Sequence, residues 1–439
     1  MSTESATRIQ SQQSPQCSCR FCGTTLTHTF VDLGMSPLCE TYIPVDRLNS
    51  MEAFYPLHVY VCQACFLVQL EEYVSPQDIY VEYAYFSSYS DSWVEHARQY
   101  CQLMINRFGL GGQSKIVEIA SNDGYLLQHF VKQGIPVLGI EPATNVAKAA
   151  IEKGIPTEVH FFGRDFAHAI VKKHGRADLL IGNNVLAHVP DINDFVGGMK
   201  AVLAPNGVIT MEFPHLARLI EFRQFDTIYH EHFSYLSLLT VEKIFAAHEL
   251  VIFDVEELPT HGGSLRIYAC HVSNSARTAS ERLQTLRAWE DDQGMSRLEA
   301  YLNFEPGVQE TKWALLEFLI AAKRAGKTVA GYGAPGKGNT LLNYCGIRTD
   351  FIDYTVDRNP YKHWKYTPGT HIPIYPPEKI TETRPDYIVI LPWNLKDEVM
   401  MQLDYIRKWG GRFVVPIPVV RVLGESDFCQ GVGDVKSSV

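Results

Sequence analysis

The sequence has no uninterrupted apolar run approaching 18 residues, the length needed to cross a bilayer as a helix, so no membrane partner is predicted. It has no basic excess either. Its 39 Lys and Arg face 49 Asp and Glu, a formal net charge of −10. That balance argues against a nucleic-acid partner, which usually meets a basic face. It leaves room for a small anionic ligand held by a few local donors. Residues 1–16 are polar, lack the apolar centre of a secretory signal and read as a disordered leader. A cytoplasmic protein is therefore expected, and its ten cysteines need an account other than disulfides. What is present is ordinary for a globular chain: 46% hydrophobic and 20% charged residues. A length of 439 residues predicts about three domains.

Cys19-Arg20-Phe21-Cys22 and Cys62-Gln63-Ala64-Cys65 form two Cys-x-x-Cys pairs. Each pair suits a tight turn that aims both thiolates at one ion, and two such turns close a tetrahedral four-sulfur zinc shell. A closed shell has no open position, so this zinc is expected to be structural. Cys17 is a competing ligand by proximity, whereas Cys39, Cys101, Cys270, Cys345 and Cys429 read as core residues. Short strands at 30–33 and 57–61 complete a β-rich zinc-binding domain over residues 17–75. An aromatic tract follows: Tyr80, Tyr83, Tyr85, Phe86, Tyr89 and Trp93. It reads either as interdomain packing or as a lid, with Tyr83 and Tyr85 as its substrate contacts.

Residues 115–120 form an apolar run that ends in the turn Ser121-Asn122-Asp123-Gly124, and a helical pattern follows. A second strand ends at Glu141 and Pro142, a third at Asn183 and Asn184, and a fourth spans 207–213. Alternation of strand and helix implies a parallel sheet with its ligand at the carboxyl ends of the strands. A dinucleotide needs Gly-x-Gly-x-x-Gly, whereas this turn has one glycine and an acid. Asp123 would repel a pyrophosphate but attract the amino group of a methionine moiety. S-adenosylmethionine is therefore the expected cofactor. Its expected contacts are Glu118, Ala120, Asn122, Asp123 and Gly124 around the turn, Glu141 and Pro142 at the ribose, and Asn183 and Asn184.

Residues 225–235 hold the densest run of titratable groups: Asp226, Tyr229, His230, Glu231, His232 and Tyr235. Histidine is the usual base near neutral pH, and tyrosine can donate to an oxyanion. In an extended segment, however, His230 and His232 would share one face and Tyr229 and Glu231 the other. Joint use of Tyr229, Glu231 and His232 therefore needs a turn. His261-Gly262-Gly263-Ser264-Leu265-Arg266 reads either as an anion-holding loop, with His261 and Arg266 as substrate contacts, or as a plain β-turn.

With these motifs the chain resembles the bacterial S-adenosylmethionine-dependent deoxysugar C-methyltransferases. The resemblance rests on the paired Cys-x-x-Cys, Glu-Ile-Ala-Ser-Asn-Asp-Gly, Asn-Asn-Val-Leu-Ala-His, Tyr-His-Glu-His-Phe-Ser-Tyr and His-Gly-Gly-Ser-Leu-Arg. It covers nearly the whole chain after residue 17. It implies a zinc-binding domain, a methyltransferase domain and a closing α/β domain. It places the catalytic tyrosine, glutamate and histidine on Tyr229, Glu231 and His232, and a further histidine on His188.

Residues 274–324 turn helical, and Gly331-x-Gly333-x-x-Gly336-Lys337 then formally matches the dinucleotide fingerprint, with Asp357 as its acid. Taken alone it would suggest NAD. The resemblance implies instead a degenerate Rossmann-like domain that helps to bind a sugar nucleotide, with Gly333 and Lys337 as contacts. The expected fold class is α/β: a zinc-binding domain, a class I (Rossmann-like) methyltransferase domain over residues 76–290, and a helical connector with a Rossmann-like domain over 291–439. The expected reaction is C-methylation beside a ketone of a nucleotide-linked deoxysugar through a base-generated enolate. His232 is the expected base, Tyr229 and His188 are the oxygen donors, and Glu231 orients the base or binds substrate. A non-sugar carbon acid and an NAD-dependent sugar oxidoreductase are the alternatives. A monomer or weak homo-oligomer is expected.

Overall fold

A computed structural model of the chain describes residues 17–79 and 86–424. The leader, the tail from residue 425, Tyr80, Tyr83 and Tyr85 lie outside the described residues. Among those described, no helix is long and apolar enough to cross a membrane.

The N-terminal unit contains β1 (His28–Ser36), β2 (Ile43–Pro44), β3 (Tyr55–Val61) and β4 (Val68–Leu70). β1, β3 and β4 pair antiparallel. The inner residues of β3, Leu57, Val59 and Val61, alternate with partly exposed ones, as a sheet with one covered face requires. Phe30 of β1 stacks on Phe304 with ring centroids 4.5 Å apart, which fixes this sheet to the long helix Phe304–Arg324.

The central unit begins with the helix Asp91–Phe108, capped by the Ser90 side chain and ended by left-handed Gly109. Ala97, Tyr100, Cys101 and Met104 give it one buried stripe. Its strands are β5 (Ile116–Ile119), β6 (Val137–Ile140), β7 (Thr157–Glu158), β8 (Ala177–Asn183), β9 (Leu203–Pro214), β10 (Ser234–Tyr235), β11 (Leu250–Leu258) and β12 (Ser264–His271). Seven of them form one sheet in the order β11-β12-β9-β8-β5-β6-β7. β12 runs antiparallel to both neighbours, and the other pairings are parallel. β5 is buried along its whole length, as a central parallel strand covered on both faces must be. β10 leaves this sheet and pairs with β4, so the segment after His232 is an edge of the zinc-domain sheet.

Glu290, in the connector helix Glu281–Asp292, holds the central unit from the other side. Its carboxylate accepts from the backbone N–H groups of Leu238 and Leu239, at the start of the helix Leu238–Ala247, and pairs with His215 at 2.6 Å. An acid at a helix N-terminus satisfies donors that the helix itself leaves open.

The C-terminal unit contains β13 (Val329–Tyr332), β14 (Thr355–Val356), β15 (Lys365–Tyr366), β16 (Ile374–Tyr375), β17 (Tyr387–Ile390), β18 (Arg412–Val415) and β19 (Arg421–Leu423). Six strands form a sheet in the order β16-β14-β13-β17-β18-β19, parallel except for β19. β15 pairs with β2 of the N-terminal unit. The first unit is thus laced by backbone ladders to both of the others.

Candidate active site

The four zinc-type cysteines converge. The sulfurs of Cys19, Cys22, Cys62 and Cys65 lie within 4.8 Å of one another, and the pairs Cys19–Cys65 and Cys22–Cys62 are each 3.5 Å apart. Two left-handed residues make the turns, Gly23 at φ 73° and Phe66 at φ 65°. Gln69 donates to the Cys19 sulfur at 3.2 Å, an outer contact of the kind that orients a metal-bound thiolate. Cys17 is outside the cluster. Burial and the neighbouring Glu71 push its thiol up to about 12, so it stays protonated. Four sulfurs at this separation fit a tetrahedral zinc without rearrangement of the chain.

The turn after β5 is built from left-handed backbone: Ala120 at φ 57°, Asn122 at φ 50° and Gly124 at φ 76°. Glycine suits position 124, whose φ lies in the left-handed region that L side chains rarely adopt, and a Cβ there would also have to displace the Ile155 Cδ1, 2.2 Å away. Glu141, just after β6, accepts from the Asn122 N–H and the Ala143 N–H, each at 2.9 Å. These bonds fix the carboxylate at the mouth of the turn. Asp123 pairs with Lys153 through one oxygen at 2.9 Å. Among the described residues its other oxygen, Glu118 Oε2 and Asn183 Oδ1 are buried without a hydrogen-bond partner. Glu118 is held well above the usual carboxylate range by burial, then by Glu141 and Asp123. A cationic ligand relieves such a cluster, and S-adenosylmethionine carries both a sulfonium and an ammonium. The residues present therefore fit this cofactor. Pro142 follows Glu141 at the same corner, partly exposed.

The tip of β8 and the histidine run meet beside it. Asn184 is left-handed at φ 52°, and its amide lies 3.2 Å from His261 Nε2. Residues 229–232 form the turn that joint use of Tyr229, Glu231 and His232 requires: His232 N–H donates to Tyr229 O at 2.9 Å. The turn sorts the two histidines. His230 Nε2 donates to Pro56 O at 3.2 Å, toward the zinc domain. The His232 ring lies 4.0 Å from the Tyr229 ring and 4.6 Å from the His188 ring.

His232 Nδ1 donates to Thr227 O at 2.9 Å, because a carbonyl can only accept, so Nε2 carries the lone pair. Burial, then His188, holds the His232 imidazole well below its usual value. Burial likewise lowers His188 to about 4, and burial with Lys337 lowers His261 to about 4. All three rings are neutral at physiological pH. Burial raises the Tyr229 phenol far above its usual value. Burial, then Glu40, raises Glu231 to about 8.

The C-terminal unit contributes to the same space. Lys337 Nζ donates to Asn394 Oδ1 at 2.8 Å and lies 4.9 Å from the Trp393 ring centroid. Trp393 in turn donates to Asp226 Oδ2 at 2.7 Å. Burial raises Asp226 to about 6 against the pull of Lys337. The pair Asp226–Trp393 was not singled out in the sequence, because only the fold joins positions so far apart.

One expectation needs correction. Arg266 does not offer its guanidinium to a substrate anion: its Nη atoms pair with Glu212 at 2.7 Å and Glu256 at 3.0 Å, its neighbours on the two flanking strands. Burial alone would raise Glu212, yet His96 and Arg266 bring it down to about 2. Gly333, at φ 81°, serves the turn after β13, where a Cβ would lie 2.6 Å from Pro392. Beyond it, Glu40 Oε1 stands 3.1 Å from the Cβ position of Gly336, the first residue of the helix Gly336–Cys345. A carboxylate there disfavours a pyrophosphate at that helix end.

Three family models match the chain: "Putative zinc binding domain" over residues 19–80, "Methyltransferase domain" over 93–255 and "C-methyltransferase C-terminal domain" over 259–418. C-methyltransferase NovU of Streptomyces niveus is 35% identical over 405 residues, 92% of this chain and 96% of that protein. A ubiquinone biosynthesis O-methyltransferase of Rhodopseudomonas palustris is 29% identical over 101 residues, 22% of this chain and 38% of its own. Among solved structures, an Anabaena variabilis SAM-dependent methyltransferase overlaps with TM-score 0.35 at 12% identity, covering 46% of this chain and 99% of its own. Magnesium protoporphyrin IX methyltransferase of Synechocystis overlaps with TM-score 0.32 at 14% identity, covering 44% and 88%. The near-complete match to NovU and the three family models in chain order establish that this chain belongs to the S-adenosylmethionine-dependent C-methyltransferases with an N-terminal zinc-binding domain.

Proposed function

We propose that the chain methylates the carbon beside a ketone in a nucleotide-linked deoxysugar, by way of an enolate. The observation that carries this reading is the convergence of neutral His232, protonated Tyr229 and neutral His188 in one buried cluster that also feels the Lys337 charge. A ketone acidifies its α-hydrogen, and a neutral imidazole with a free Nε2 is suited to remove it. Tyr229 supplies an O–H donor for the enolate oxygen, in a buried place where such donors act strongly, while the neutral His188 ring, bonded to the Glu231 backbone, packs against the base. Lys337 brings a positive charge that the enolate calls for. Glu231 orients the base or holds a sugar hydroxyl.

S-adenosylmethionine, when bound, supplies an electrophilic methyl group on a sulfonium. Glu141 would hold its ribose, and the 122–124 turn its methionine end, with Glu118 and Asn183 lending their open oxygens. The chain's part is to fix the nucleophilic carbon and the methyl carbon in line and to keep water out.

The test is exchange of the substrate's α-hydrogen with deuterated water in the presence of S-adenosylhomocysteine. Wild type should exchange it. His232→Ala should lose both exchange and turnover by about 10²-fold or more, a usual size for removal of a general base, and should still bind both ligands. If His232→Ala keeps exchanging and Glu231→Ala stops, Glu231 is the base.

A further inference from the structure

Arg20 lies inside the first zinc turn, between Cys19 and Cys22. Its side chain leaves the metal cluster and reaches the methyltransferase unit. Nη1 donates to Pro190 O at 2.7 Å, and Nη2 donates to Leu70 O. Its guanidinium also lies 5.4 Å from the ring centroid of Phe233. Pro190 stands two residues after His188, and Phe233 directly follows His232. Leu70 N–H donates to Phe233 O at 3.0 Å, and Phe233 N–H donates to Ala187 O at 2.8 Å. The Arg20 side chain therefore contacts, directly or through one backbone hydrogen bond, both segments that carry the paired histidines.

The near end is tied to the sulfur cluster with equal care. Arg20 N–H donates to Gln69 Oε1 at 2.9 Å, and Gln69 Nε2 donates to the Cys19 sulfur at 3.2 Å. Gln69 is also the ladder partner of Ser234. From the other side, Asn193 Nδ2 donates to Phe21 O at 2.9 Å. The zinc turn is thus clamped onto the segment after His188 by three polar contacts: Arg20 Nη1 to Pro190 O, and Asn193 Nδ2 to Phe21 O and, at 3.3 Å, to Arg20 O.

We infer that Arg20 is a positioning residue for methyl transfer: its planar guanidinium spans the zinc turn and the two backbone segments that set His188 against His232. The inference rests on the reading of those histidines as the reacting pair. A guanidinium is suited to this because it presents several donors in a rigid plane, whereas a lysine is a single point charge on a flexible stem. Without the brace, Pro190 O and Leu70 O lose a charged donor, and the alignment of the two segments is left to the backbone bond from Phe233 N–H to Ala187 O. A displacement of about 1 Å at a reacting pair lowers turnover about 10²-fold.

The test uses the zinc-loaded full chain with Arg20→Met, Arg20→Lys and Arg20→Ala. Zinc content and calorimetric affinity for S-adenosylhomocysteine are measured first. Both should match wild type, while kcat falls about 10²-fold in Arg20→Met and KM changes little. Arg20→Lys should recover only a minor part, since one ammonium cannot span the contacts of the guanidinium. Added methylguanidinium should raise kcat of Arg20→Ala, and the imidazole nitrogen resonances of His188 and His232 should move in all three variants. Unchanged kcat and unchanged resonances in Arg20→Met would overturn the inference. So would a loss of activity that tracks loss of zinc, because Arg20 would then serve only the metal turn. His232→Ala is the control. If it retains full turnover, the reading of the histidines fails; if it is inactive while Arg20→Met is fully active, only the role of Arg20 fails.

Discussion

The rings of His188 and His232 meet edge to face, 4.6 Å apart at 83°, although one follows β8 of the methyltransferase sheet and the other precedes an edge strand of the zinc-domain sheet. The central pairing of the site is therefore held by two different sheets. Its geometry depends on how the zinc-binding unit docks.

Removal of one zinc ligand should accordingly damage the fold before it damages the chemistry. Structural zinc contributes on the order of 10 kcal/mol to small domains that depend on it. Cys62→Ser is expected to lose the metal, to melt well below wild type and to expose the sheet β1-β3-β4-β10. Metal analysis of wild type should give about one zinc per chain, as one four-sulfur site requires. A Cys62→Ser chain that is metal-free yet equally stable would remove zinc from the account.

Glu141 holds the 122–124 turn through Asn122 N–H, and under the proposed function it would hold the cofactor ribose as well. Glu141→Ala should weaken S-adenosylhomocysteine binding by about tenfold or more, the size of one lost charged hydrogen bond, and should leave affinity for the sugar nucleotide nearly unchanged. Isothermal titration with each ligand separates the two. Equal loss of both affinities would point to collapse of the turn rather than to loss of a ribose contact.

Glu231 should be visible in the pH dependence of stability. Burial and Glu40 raise its carboxyl from 4.5 to about 8 in the folded chain. Between those values the folded state binds more protons than the unfolded state, so this group makes stability fall as pH rises through that window. Glu231→Gln removes the ionisation. Its melting temperature should exceed that of wild type by about 2 °C or more near pH 9, and the gap should shrink toward pH 6. A gap that does not change with pH would show that Glu231 is not strained by its burial.

Local chemistry was legible in the sequence wherever neighbouring residues carry it. The two Cys-x-x-Cys turns, the left-handed Asn122-Asp123-Gly124 turn and the acid after the second strand each depend on a short segment. The need for a turn at 229–232 followed from the alternation of side chains along an extended chain, and the hydrogen bond from His232 N–H to Tyr229 O provides it. Contacts set by distant strands were not legible. Arg266 looked like an anion ligand because its acidic partners, Glu212 and Glu256, come from the strands on either side. The two-residue strand Ser234–Tyr235 has no pattern of its own and exists only because β4 offers it an edge. Asp226, Trp393 and Lys337 meet only through the docking of the C-terminal unit.

The most direct test of the account is the product itself. The zinc-loaded protein is incubated with S-adenosylmethionine and a panel of nucleotide-linked keto-deoxysugars, and each product is examined by mass spectrometry and carbon NMR. The account predicts one acceptor that gains a single methyl group, bonded to the carbon beside its ketone, with S-adenosylhomocysteine formed in equal amount. A methyl group on oxygen, or turnover only with an acceptor that has no ketone, would contradict it.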